Sequence, residues 1–405
     1  MKKIIALLLA FCLAVSLFGC SEADPAATTT PTGGSTTPDN HTGFTVSDAD
    51  ASAAANTIVA TCGDRALTVG ELNVFYWMGI YSFLSNYGSY VAYFGLDPSL
   101  PLGDQVTQTN DGTETTWERL FIDDALSAWH LYQAVAQKAK QMNIPMPDYL
   151  QTELDSLRDV MKDSAEERKF ESVDAMIQAE AGAAASGDAY YAYQLHYYEY
   201  VAALVYLEQT TEITQDDIEA YFQEHKDDLS KDGITKESGN VFGVRHILIS
   251  PEGGTTDGNG NTTYSEDEWE ACRIKAQNLL DQWIAGEATE DSFSDLAKEH
   301  STDPGSKSNG GLYEDLNDKT SFVQPFKDWY LAEGRQVGDY GLIKTDYGYH
   351  LMYLSSIEAQ WIAHCHDAVF DEIVTKFLDE AQAEFPMDAD YDKIVLGYVS
   401  LVSES

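Results

Sequence analysis

The chain has 405 residues, with 24 Lys and Arg against 67 Asp and Glu, a formal net charge of −43 and a pI of about 4.2. So acidic a chain repels phosphate backbones, which excludes nucleic acid as a partner class. Its length leaves room for roughly two or three domains, and 44% hydrophobic with 12% aromatic residues is too apolar for a disordered acidic tail.

Lys2 and Lys3 precede an apolar run from Ile4 to Phe18, interrupted by Cys12 and Ser16. A spanning helix needs about 20 apolar residues, so this shorter run reads as a secretory signal. It closes on Leu17-Phe18-Gly19-Cys20, which resembles a bacterial lipobox. That resemblance implies removal of residues 1–19, lipid on Cys20 and a protein tethered at the outer face of the bacterial cytoplasmic membrane. Ordinary secretion with an incidental Cys is the alternative. Residues 20–56 are rich in Thr, Ser, Pro, Gly, Ala and Asp and are expected to form a flexible linker.

Beyond Cys12 and Cys20 the cysteines are Cys62, Cys272 and Cys365. An odd number cannot all pair internally, and none has zinc spacing. His364-Cys365-His366 falls at the start of a predicted helix, where alternate residues diverge, so no metal site is expected there.

Residues 57–238 read as a mostly helical domain. Thr57 to Thr61 is strand-like and ends at Gly63-Asp64. Thr68 with Glu71 makes a capping box before a helix carrying Leu72, Phe75, Tyr76, Trp77 and Met78. Trp117 to Met142 continues helically. Tyr193, Tyr197, Tyr200, Leu204 and Leu207 form a stripe on one helical face, and Thr214 with Asp217 opens a further short helix. The cluster Tyr190, Tyr191, Tyr193, Tyr197, Tyr198 and Tyr200 suits loose binding of extended chains, because Tyr offers amphipathic area with few rotors. Packing of those rings into the domain core is the competing reading.

Residues 239–357 change character, with short strands and short helices in the order β-α-α-β-α-β-β. Phe242 to Ile249 is a strand, Ser265 with Glu268 caps a helix, and Phe293 to His300 and Phe322 to Ala332 are shorter helices. Tyr340 to Lys344 and Tyr349 to Ser355 form a hairpin. Residues 358–405 return to helix, with Val369, Phe370, Ile373, Phe377 and Ala381 on one face that needs a partner. The fold expected is therefore α+β, with the β-rich module inserted in a helical domain.

Five segments of the module carry a resemblance. They are Val244-Arg245-His246-Ile247-Leu248-Ile249, then Phe293 to Asp303, Asn309-Gly310-Gly311-Leu312, Phe322-Val323-Gln324-Pro325-Phe326 and Thr345-Asp346-Tyr347-Gly348-Tyr349-His350. In that order they resemble the parvulin-type peptidyl-prolyl cis-trans isomerases. With the signal, linker and flanking helices, the whole resembles the PrsA-like and SurA-like extracytoplasmic foldases.

The resemblance implies a βααβαββ fold and isomerisation of X-Pro bonds without a metal or cofactor. It implies a hydrogen-bonded floor of His246, Asp303, Thr345 and His350. It implies a proline slot lined by Leu312, Phe322, Phe326 and Tyr347. Clients would be unfolded or newly secreted proteins, and the helical domain could pair two copies. Pro304 after Asp303, and Tyr313-Glu314 after the Gly-Gly-Leu run, depart from the family pattern. Residues 250–268 contain no Lys or Arg, so no phosphate requirement is expected. A non-catalytic holdase on a parvulin scaffold is the alternative function. A solute-binding lipoprotein would show a two-lobed α/β repeat, and none is visible.

Overall fold

In the computed structural model the described residues are 43–109, 112–258 and 262–401; the signal, Cys20 and most of the expected linker lie outside them. The chain divides into two units, one of residues up to Thr211 together with those from Glu372, the other Glu212–Asp371.

The first unit opens earlier than composition implies. Residues 43–55 were assigned to the linker, yet Phe44 and Thr45 donate their amides to the Glu118 carboxylate at 2.8 and 3.1 Å, and Thr45 bridges Leu396. Helix α1 (Asp48–Ala54) follows, capped by Ser47, with Ala51 fully buried. A buried carboxylate distant in sequence orders this segment, and local hydrophobicity gives no sign of it.

Strands β1 (Ile58–Cys62) and β2 (Arg65–Thr68) form a hairpin, and the strand Met387–Ala389 pairs with the other edge of β1. Gly63 turns that hairpin at φ 57°. Helix α2 (Val69–Tyr87) starts at the Thr68–Glu71 capping box, as expected. A 3-10 helix, Gly88–Phe94, and the short pair β3 (Val106–Gln108) and β4 (Glu114–Thr116) lead into α3 (Trp117–Gln141). Then come α4 (Asp148–Glu167), α5 (Val173–Ala181) and α6 (Gly187–Thr210).

The tyrosine stripe of α6 turns inward. Phe75 of α2 meets Tyr193 edge-on at 4.7 Å, and Leu150 and Leu154 of α4 pack with Tyr197, Tyr198, Val201 and Val205. Tyr190, Tyr193, Tyr197 and Tyr198 are buried and Tyr191 and Tyr200 partly so, which favours the core-packing reading of the cluster over client binding. Exposed aromatics of this unit include a cluster elsewhere, Tyr87, Tyr90, Tyr93 and Phe94, with Tyr93 85% exposed.

The second unit begins with α7 (Gln215–Lys231), whose Thr214–Asp217 capping box also forms. Next are β5 (Asn240–Ile249), the small hairpin β6 (Thr255–Thr256) and β7 (Thr262–Thr263), α8 (Glu266–Ala285) and α9 (Glu290–His300). They are followed by β8 (Leu312–Leu316), α10 (Gln324–Tyr330), β9 (Tyr340–Thr345) and β10 (Gly348–Ala359). Helix α11 (Gln360–Glu384) leaves the unit, its residues from Glu372 belonging to the first. Trp361 and Cys365 of α11 pack with Ile218, Phe222 and Leu229 of α7, so both helices flank the β-rich module within one unit.

The module sheet is antiparallel in the order β8-β5-β10-β9. Alternation along β5 sorts its side chains. Ile247 and Ile249 pack with Cys272, Leu279, Trp283 and Phe293 of α8 and α9. Val244, on the other face, packs with Met352, Leu354, Phe326, Trp329 and Tyr330. Cys62, Cys272 and Cys365 are buried and unpaired, and burial raises each thiol. Among the described residues no helix is long and apolar enough to cross a membrane.

Candidate active site

The site stands on the Val244 face of the sheet. His246 pairs across with Met352 and His350 with Leu248, so the two imidazoles are diagonal neighbours on β5 and β10. Their Nδ1 atoms are 3.0 Å apart, and the rings stack at 5.2 Å between centroids. Thr345, at the end of β9, places Oγ1 2.8 Å from His350 Nε2.

Asp303 comes from the loop after α9. Ser301, buried there, accepts the amides of Leu248 and Asp303 at 3.2 Å each, and Thr302 donates its amide to the Leu248 carbonyl at 2.9 Å. This tie to β5 sets Asp303 Oδ2 3.0 Å from His246 Nε2. The four residues expected to form the polar floor are therefore brought together.

Proton positions follow from the chemistry of the ends. Asp303 is held well below the ordinary carboxylate range, first by its hydrogen bond with His246 and then by Ser306 and Tyr313, against the cost of burial. A carboxylate only accepts, so His246 donates from Nε2. The contact between the two Nδ1 atoms needs one donor and one acceptor, and with His246 as the acceptor His350 donates its own Nδ1–H. His350 Nε2 is left an acceptor for the Thr345 hydroxyl, and Thr345 in turn accepts the Tyr347 amide at 3.2 Å. Burial and the neighbouring His246 push His350 down to about 3, so it is neutral at ordinary pH. The network thus runs in one direction, from the Tyr347 amide to the Asp303 anion.

Aromatic rings stand over this floor. Phe326 of α10 meets His246 edge-on at 5.3 Å and His350 at 5.7 Å, and Phe322 stacks on Phe326 at 4.7 Å. Tyr347 lies on the turn beside Thr345 and is 63% exposed, at the rim.

Leu312 is a correction. It pairs with Arg245, which places it on the sheet face opposite His246, whereas Tyr313 pairs with Val244 and shares the site face. Tyr313 is the β8 side chain that reaches the rings, 4.9 Å from Phe322 and 5.5 Å from His246.

Three further contributors were not among the expected site residues, although Tyr313 stood out as a departure from the family pattern. Ser306, fully buried, approaches His246 Nε2 at 3.1 Å and donates to Asp303. Its signal was a hydroxyl three residues past Asp303, across a Pro304-Gly305 turn. Tyr313 donates its hydroxyl to Asp303 Oδ2 at 3.0 Å. Arg245, on the opposite face, binds Glu290 at 2.8 Å and the carbonyls of Asn309 and Gly310 at 3.1 and 3.0 Å, clamping the loop that leads into β8. Gly311 closes that loop at φ 78°, where a Cβ would lie 2.2 Å from the His246 carbonyl.

Residues 228–356 match the family described as the PPIC-type PPIASE domain. The foldase protein PrsA 1 of Listeria monocytogenes serotype 4b is 25% identical over 203 residues, covering 44% of this chain and 68% of that protein. The chaperone SurA of Pseudoalteromonas atlantica is 33% identical over 135 residues, covering 32% of this chain and 26% of that protein. The chain thus spans about a quarter of that relative's length. The crystal structure of PrsA from Bacillus subtilis aligns at 18% identity and TM-score 0.34, covering 68% of this chain and 89% of that one. The matched segment is a parvulin-type peptidyl-prolyl cis-trans isomerase domain, and the chain that carries it resembles the PrsA-like and SurA-like foldases.

Proposed function

We propose that the protein is a lipid-tethered extracytoplasmic foldase, isomerising X-Pro bonds in unfolded or newly secreted chains and holding those chains with its helical unit. The observation that supports catalysis is the one-directional network from Thr345 to Asp303 beneath the Phe322 and Phe326 rings.

Amide resonance sets a rotation barrier of about 18–20 kcal/mol. The two X-Pro isomers differ by only about 0.5–1 kcal/mol, so the barrier is what matters. Lowering it needs tighter binding of the twisted amide than of either planar form. No bond is broken, and no nucleophile or cofactor is called upon. Phe322 and Phe326 offer an apolar surface to the prolyl ring, with Tyr347 at the rim. His246 and Asp303 present fixed dipole and charge to the amide as it loses conjugation, with little reorganisation. Thr345 and His350 hold His246 in its tautomer.

In an Ala-Pro peptide assay, His246→Ala with His350→Ala should cut the isomerisation rate at least about tenfold, a loss of roughly 1.4 kcal/mol in transition-state binding. A wild-type rate no greater than background would leave the holdase reading. No Lys or Arg stands in residues 250–268, so phosphorylated and unphosphorylated Ser-Pro peptides should turn over alike; a strong preference for the phosphorylated one would overturn this.

Holding is supported by the exposed Tyr87, Tyr90, Tyr93 and Phe94. They lie in residues 72–96, which carry no charged side chain in a chain of net charge −43. The tether rests on Leu17 to Cys20, and Cys20→Ser should abolish fatty-acid labelling. Self-pairing through the helical unit is tested by sedimentation.

A further inference from the structure

We infer that Tyr313 is a positioning residue of the isomerase site, fixing the direction of its hydrogen-bond network, and that its ring forms part of the proline slot in place of Leu312. This rests on the isomerase reading above. Three hydrogen-bond donors converge on Asp303 Oδ2: His246 Nε2 at 3.0 Å, the Tyr313 hydroxyl at 3.0 Å, and the Ser306 hydroxyl. With Oδ2 so occupied, the carboxyl stays ionised and only an acceptor faces His246. That choice determines which nitrogen of His246 is protonated, and through it the orientation of His350 and Thr345.

The Tyr313 phenol is itself pushed up to about 12 by burial and by Asp303, so it remains a donor across the working pH range. The titratable groups facing Asp303 are His246 from β5 and Tyr313 from β8, with His350 of β10 acting through His246. On the substrate side, the ring of Tyr313 stands edge-on to Phe322 at 4.9 Å and beside His246, on the surface where a prolyl ring would pack. The Tyr313-Glu314 departure from the family pattern therefore falls within the site's own hydrogen bonding.

Two variants of the full-length protein separate the roles. Tyr313→Phe keeps the ring and removes the donor. It should hold KM for an Ala-Pro peptide within about twofold while lowering kcat, and should move the acid limb of the pH profile upward. In nitrogen-15 spectra of the imidazoles it should reduce the population of the tautomer protonated at His246 Nε2. Tyr313→Leu removes the ring as well and should raise KM further. Ring-nitrogen shifts and an acid limb unchanged in Tyr313→Phe would overturn the positioning role, and an unchanged KM in Tyr313→Leu would overturn the slot role. A wild type without isomerase activity would defeat the isomerase reading and the slot role with it, while the ring-nitrogen spectra would still decide whether Tyr313 orders the network.

Discussion

His350 shows how position overrides the ordinary chemistry of a side chain. Its pKa is lowered from 6.5 to about 3 by burial and by His246. The unfolded chain takes up a proton near the ordinary value, and the folded unit refuses it until much lower pH. Stability is therefore lost as pH falls through that window. Asp303 acts in the same direction: its folded pKa is depressed, so its contribution is present above the unfolded value of 3.8 and lost as pH falls through the folded one. One withheld proton steepens the dependence by about 1.4 kcal/mol per pH unit. Hydrogen exchange of the β5 and β10 amides between about pH 7 and about pH 4.5 should show this slope in the wild type and a shallower one in His350→Asn. Equal slopes would mean that His350 titrates normally. The histidines, Asp303 and Thr345 could be named from sequence because a motif preserves their spacing. Ser306 was not named, and Tyr313 was marked only as a departure at the site, because their role is a meeting with Asp303 that only the loop and the β8 register create.

Elements differ in how local their causes are. The capping boxes at Thr68–Glu71, Thr214–Asp217 and Ser265–Glu268 were legible because each is closed by residues three apart. At the last of these, Glu268 also accepts the Gly254 amide at 2.8 Å, tying the residue just before β6 to α8. Ser265→Ala should cost about 1 kcal/mol of unit stability in urea unfolding and raise amide exchange at Gly254. Gly311 is a stricter case. Gly311→Ala adds a left-handed backbone strain of about 1–3 kcal/mol and drives a Cβ into the His246 carbonyl. Gly334→Ala, at φ 84° with open space around it, should cost the strain alone. Thermal unfolding of the two variants, with Gly311→Ala melting lower and losing isomerase activity, checks the difference. Strand Met387–Ala389 was invisible in sequence, since three residues acquire strand geometry through pairing with β1.

For the whole molecule, the reading predicts two separable activities. Tyr90→Ser with Tyr93→Ser should weaken suppression of client aggregation, while the paired histidine variant should lower Ala-Pro isomerisation. Each pair of substitutions should move its own readout far more than the other's, as light scattering and peptide kinetics can show; parallel losses would point to one shared surface.

Charge and periodicity by themselves marked out the helical and β-rich regions and set the expectation of no nucleic-acid partner, and the resemblance of five motifs to the parvulin family named the four residues of the polar floor. Those properties are local or repeat along the chain. Tertiary structure decided that most of the α6 tyrosines face inward, that residues 43–55 fold onto Glu118, and that Tyr313 rather than Leu312 shares the sheet face of His246. The reason is physical. A hydrophobic stripe specifies a buried face but not its partner, and a strand's alternation specifies two faces but not which one meets the site. A one-residue change of register exchanges them.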